Sequence, residues 1–120
     1  MSKTTKPLFP QGEPLILDAD KIVDNLCTTF KALKHPTPFT RYQRAFRRLL
    51  TRPSDVGFFL AAWNAGMNNR LDGGSIDDVP KKFVGFTPAH QITAGAWRAG
   101  HRGHRFVPWI TTLARTVLER

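Results

Sequence analysis

Val56-Gly57-Phe58-Phe59-Leu60-Ala61-Ala62-Trp63-Asn64-Ala65-Gly66-Met67 is the most apolar stretch of the chain, and it carries no charged residue. Within it Val56, Phe59, Leu60, Trp63 and Met67 recur at the steps of one helical face, so the stretch reads as a buried, central helix. Ser54 is its expected N-cap, and Asn68-Asn69 followed by Gly73-Gly74 supplies the break after it. Phe59 and Trp63, one turn apart, form the expected core anchor.

Working outward, the same periodicity predicts a first helix over 19–34, capped by Asp18, with Ile22, Val23, Leu26, Phe30 and Leu33 on its apolar face. His35-Pro36 ends it. Thr37-Pro38 then opens a second helix that runs to Thr51 and is stopped by Pro53. After the central helix, Ser75-Ile76-Asp77-Asp78 suits one short helical turn. Thr87-Pro88 repeats the cap-and-proline device and opens a helix whose Gly95 and Gly100 are expected to weaken it by about 1 kcal/mol each relative to alanine. A last helix begins near Val107-Pro108 and presents Ile110, Leu113, Val117 and Leu118 to the core. Only Lys82 to Phe86 competes as a strand, and a lone strand lacks a backbone partner. The expected fold is therefore all-α, a compact irregular bundle of four to five helices over 18–120. An extended, proline-rich arm over 1–17 is expected to precede it. Leu26, Phe30, Phe46, Leu49, Phe59, Trp63, Ile110 and Leu113 are the expected core.

Charge narrows the function. Eighteen Lys and Arg against nine Asp and Glu leave a formal net charge of +9, with an isoelectric point near 10.7, which points to an anionic partner. In the second helix Arg41, Arg44, Arg48 and Arg52 fall within a sector of about 80°, with Arg47 beside them. Phe39, Tyr42, Phe46, Leu49 and Leu50 take the opposite side. No acid lies between Asp24 and Asp55 to neutralise that stripe, and guanidinium forks bind phosphate or carboxylate bidentately. A second basic segment holds Arg98, His101, Arg102, His104 and Arg105 and contains Gly-His-Arg twice in tandem. If the two surfaces lie side by side, they make a groove for a nucleic-acid backbone.

Signals for catalysis and metal are thin, so no enzyme, cofactor or metal is expected. His90, His101 and His104 lack a nearby cysteine or carboxylate. Asp72, Asp77 and Asp78 with Lys81 and Lys82 suit capping and local charge pairing better than a metal-dependent nuclease site. Cys27, the single cysteine, reads as an inert core thiol. No apolar run approaches the roughly 18 residues of a membrane span. No apolar stretch follows the N-terminal lysines as in a secretory signal, so a cytoplasmic location is expected.

The central stretch, with its F-L-A-A-W-N-A core followed by Gly73-Gly74 and Asp77-Asp78-Val79, resembles a pattern in small helical proteins of bacterial mobile elements. There an F-L-x-A-W-x-N-A stretch precedes Gly-Gly and an acidic turn. The likeness covers about a quarter of the chain; one tryptophan position is missing and the spacing to the glycines is longer. It implies a phage, plasmid or integrative-element setting and no particular activity. Two readings follow from the charge and that setting. One is a non-enzymatic protein that contacts the phosphates of DNA or RNA. The other is an interaction module, such as an anti-CRISPR-like or host-takeover inhibitor, that binds an acidic or nucleic-acid-binding protein surface.

Overall fold

Two helices that carry the same five-residue pattern cross at the centre of the molecule: Ala62-Trp63-Asn64-Ala65-Gly66 and Ala96-Trp97-Arg98-Ala99-Gly100. The computed structural model describes residues 17–34 and 39–118. Among these, the elements are α1 (Ala19–Thr29), α2 (Arg41–Leu50), α3 (Pro53–Leu71), α4 (Pro88–His101) and α5 (Phe106–Leu118), with single 3-10 turns at Lys31–Leu33 and Lys81–Phe83. The fold is all-α, as the periodicity predicts, with no strand among the described residues. The expected N-terminal arm lies, but for Leu17, outside the described residues, as do His35-Pro36 and Thr37-Pro38.

At the α3–α4 crossing the two backbones touch. A Cβ on Gly66 would stand 1.9 Å from the Trp97 carbonyl oxygen, and one on Gly100 would stand 2.0 Å from the Trp63 carbonyl oxygen. The contact is reciprocal, so a local two-fold relates the helices. They run the same way, because Phe58 early in α3 meets Phe83 just before α4, and the Gly74 carbonyl just past α3 meets His101 at the end of α4. Each helix also ends alike. Gly73 and Gly103 take φ of +82° and +80°, and the N–H groups of Gly74 and His104 return to the carbonyls of Asn69 and Ala99, the paired bonding that closes a helix on a left-handed residue. Gly100, expected to weaken its helix, is thus what lets α4 meet α3.

Around this pair pack α1, α2 and α5. Leu26, Phe46, Phe59, Trp63 and Ile110 are buried as expected, whereas Phe30, Leu49 and Leu113 pack half-buried at the rim of the core. Tyr42, assigned to the apolar side of α2, is exposed, and its hydroxyl bonds to Gln91 Oε1. Trp63 donates its indole N–H to the His104 carbonyl at 2.8 Å, so its polar edge is satisfied inside the core.

Four boundaries differ from the sequence reading. The second helix, expected to open at Thr37-Pro38, starts at Arg41 with Thr40 as its N-cap, and Phe39 and Thr40 are not helical. The first helix stops at Thr29 rather than 34, because Phe30 leaves helical geometry and a 3-10 turn follows that buries Leu33. Pro53 itself occupies the first turn of α3, with Arg52 at the N-cap and Ser54 already inside the helix; the fixed φ of proline and its missing N–H suit that position. Ser75 to Asp78 form a side-chain-bonded turn, Ser75 N–H donating to Asp78 Oδ2 at 2.9 Å and Asp77 N–H to Ser75 Oγ at 3.1 Å. The helical turn comes later, at Lys81–Phe83.

Candidate functional site

Thr40 and Gln43 set the orientation of α2. The Thr40 hydroxyl accepts the Gln43 N–H at 3.2 Å, and Gln43 Oε1 accepts the Thr40 N–H at 3.0 Å, a reciprocal cap. Gln43 Nε2 then donates to the Val117 carbonyl at 2.9 Å, tying the start of α2 to the end of α5. This buried amide is committed to structure. Gln43 is the amide in α2 beside the arginines, and its burial keeps it from reading bases.

With α2 so held, Arg41, Arg44 and Arg48 are exposed, and none of them has a carboxylate partner among the described residues. Arg47 is half-buried, its guanidinium carbon 5.7 Å from the centre of the Phe39 ring, a cation–π distance. Arg52 differs from the rest, because its Nε donates to Asp55 Oδ2 at 2.7 Å. The acid that ends the acid-free interval thus neutralises the last arginine of the stripe.

The break after α1 adds a cation that the sequence-expected set lacks. Lys34, following the 3-10 turn, faces α2 across a hollow of about 420 Å³ lined by Leu33, Lys34, Arg44, Arg47, Arg48 and Thr51. Four positive side chains from two elements therefore surround one groove. Arg48 also belongs to a second, smaller hollow of 230 Å³, shared with Ala45, Leu49, Arg52 and the start of α4 at Thr87, Pro88 and Ala89. The stripe thus continues from the groove towards the N-terminus of α4.

The Gly-His-Arg segment is placed elsewhere. Arg98 and His101 belong to α4, Arg102 is its C-cap, and His104 and Arg105 lie between α4 and α5. At about 1.5 Å per residue, α4 separates this segment by roughly 20 Å from the Thr87 end that meets Arg48 and Arg52. The hollows lined by the two basic regions share no residue. His101 is partly buried, stacked on Trp97 with ring centres 5.4 Å apart, and its Nε2 lies 3.0 Å from the Gly74 carbonyl. An acceptor there requires the proton on Nε2. Arg98, Arg102, His104 and Arg105 are exposed, and the latter two border a hollow of 440 Å³ with Pro108, Trp109 and Thr112.

No group of three or more His, Cys, Asp or Glu that could hold a metal occurs among the described residues. Asp72 caps α3, and Asp77 and Asp78 lie in the Ser75 turn, which uses the Asp78 carboxylate. Cys27 is buried, and burial is the main cause of a thiol pKa raised above its ordinary value; Asp24 adds to it and Lys34 opposes it. Among the described residues no helix is long and apolar enough to cross a membrane. No protein-family model, no curated protein and no solved structure matches the chain.

Proposed function

We propose that this protein is a non-enzymatic binding module that holds the phosphate backbone of a nucleic acid in the groove between the Lys31–Leu33 turn and α2. The observation that carries this reading is the convergence of Lys34, Arg44, Arg47 and Arg48 on one 420 Å³ hollow, with Arg41 extending the stripe. The exposed guanidinium groups of Arg41, Arg44 and Arg48, on one helix face without a carboxylate partner among the described residues, favour repeated anionic groups over a single small anion. Phosphate contacts position a ligand without reading bases. With Gln43 buried, the stripe offers no amide for base readout, so binding is sequence-tolerant.

The test is a titration of duplex and single-stranded oligonucleotides at several salt concentrations. Wild-type affinity falls steeply with salt. The Arg41/Arg44/Arg48→Ala triple variant loses about 0.9 of the log–log slope per arginine on duplex, or about 0.7 on a single strand. Each of these substitutions leaves folding stability within about 0.5 kcal/mol. A wild type that binds neither oligonucleotide at low salt removes this reading and favours an acidic protein surface as the partner.

A further inference from the structure

Phe86 is fully exposed, at 100% of its maximal area. It is also rigidly mounted. Phe83, three residues earlier, is buried, and its carbonyl accepts the buried Thr93 hydroxyl at 3.1 Å. The Phe83 and Val84 N–H groups close the 3-10 turn onto Pro80 and Lys81. Gly85 passes directly over the His90 ring, where a Cβ would come within 2.5 Å of Nδ1. On the other side of Phe86, the Thr87 hydroxyl accepts the His90 N–H at 3.2 Å and bonds to His90 Nδ1 at 2.7 Å. The backbone is thus fastened on both sides of a side chain that contributes no burial to the fold.

The neighbourhood gives that ring a use. Thr87, next in the chain, lines the same hollow as Arg48 and Arg52, so the ring stands where the arginine stripe meets the start of α4. Lys81 and Lys82 are exposed on the same loop. A phosphate-holding stripe that leads to an exposed aromatic ring is the pairing by which single strands are bound, with cations tracking the backbone and rings stacking on bases. A duplex hides its base faces within its own stack and has none to offer.

We infer that the preferred ligand is single-stranded nucleic acid and that Phe86 is a base-stacking platform beside the groove; this rests on the phosphate-binding reading above and narrows it. Because the backbone around Phe86 is already ordered, little conformational freedom remains to be lost on binding.

The experiment compares a fluorescein-labelled oligo(dT) of about 15 nucleotides with a duplex of the same length. The proteins are wild type, Phe86→Ala, Phe86→Leu and Phe86→Trp, all full chain, with thermal melting to confirm unchanged stability. Wild type binds oligo(dT) more tightly than duplex. Phe86→Ala weakens oligo(dT) binding by about 5- to 150-fold, the range expected for one lost stacking contact, and leaves duplex binding and the salt slope unchanged. Phe86→Trp retains oligo(dT) affinity and Phe86→Leu does not. Tighter duplex binding, an alanine variant equal to wild type, or a leucine variant as good as tryptophan overturns the stacking assignment while the groove reading stands. Absence of any wild-type binding at low salt overturns both.

Discussion

Replacing Gly100 with alanine places a methyl carbon 2.0 Å from the Trp63 carbonyl oxygen and 3.1 Å from the Met67 nitrogen. Both obstacles are backbone atoms of α3, so no side chain can swing aside. The 2.0 Å approach must open by about 1.4 Å to reach ordinary contact, and gaps of only about 0.5–1 Å already forfeit about a quarter to a half of each dispersion contact. Overpacking of this kind costs up to about 3 kcal/mol. The better helix propensity of alanine offsets about 1 kcal/mol, leaving a net loss of about 2 kcal/mol, or roughly 8 °C in Tm for a chain of this size. Gly66→Ala behaves alike by the local two-fold. One separation admits both methyls, so the double variant loses less than the sum of the two singles. Gly57→Ala is the control, because its Cβ meets only the Ala19 Cβ, at 3.9 Å; it gains about 0.5–1 kcal/mol. Urea unfolding of the four variants supplies the measurement. A stabilised Gly100→Ala protein would refute the close-approach argument.

Gln43→Ala removes the donor to the buried Val117 carbonyl and half of the α2 cap, and it is expected to lower unfolding free energy by about 1–3 kcal/mol, read by the same denaturation. His101→Ala is expected to cost about 1 kcal/mol through the lost bond to Gly74 while leaving oligonucleotide affinity unchanged; a large affinity loss with unchanged stability would reassign this histidine to the ligand. Cys27 has a raised folded pKa, so its stabilising contribution is intact below the unfolded thiol value of about 8.5 and is lost as pH rises through the folded value. Unfolding free energy measured across that alkaline range should decline more steeply for wild type than for Cys27→Ala.

Local signals carried much of the fold. Thr87-Pro88 and the glycines after α3 marked helix ends because capping chemistry is read from a few adjacent residues. Trp63, Phe59, Leu26 and Ile110 declared their burial through spacing. The α3–α4 crossing was harder to foresee, since propensity alone scores Gly100 as a loss, and its gain exists only when Trp63 arrives from another helix. The repeated A-W-x-A-G was the available sign. At the candidate site, the angular clustering of Arg41, Arg44 and Arg48 survives in three dimensions. Arg52 does not share their freedom, because Asp55 lies within reach once Pro53 starts α3. Lys34 joins the groove only because the chain breaks at Phe30, a change of direction that continuous helical periodicity conceals. Phe86 gave no periodic signal, and its exposure follows from the turn built around Phe83 and His90.

The uncompensated arginines of α2 also act on the free protein. Arg44 and Arg48, four residues apart on one face, repel each other, as does Arg41 from Arg44; such like-charged neighbours cost about 0.2–0.5 kcal/mol per pair in a helix. Dissolved ions screen that repulsion over a Debye length of about 10 Å at 0.1 M salt. Salt therefore works in opposite directions on the same side chains: it firms α2 in the empty molecule and competes with a polyanion for the full one. An anion that settles on the stripe relieves the tension it finds there, so the helix is tightest when its groove is occupied.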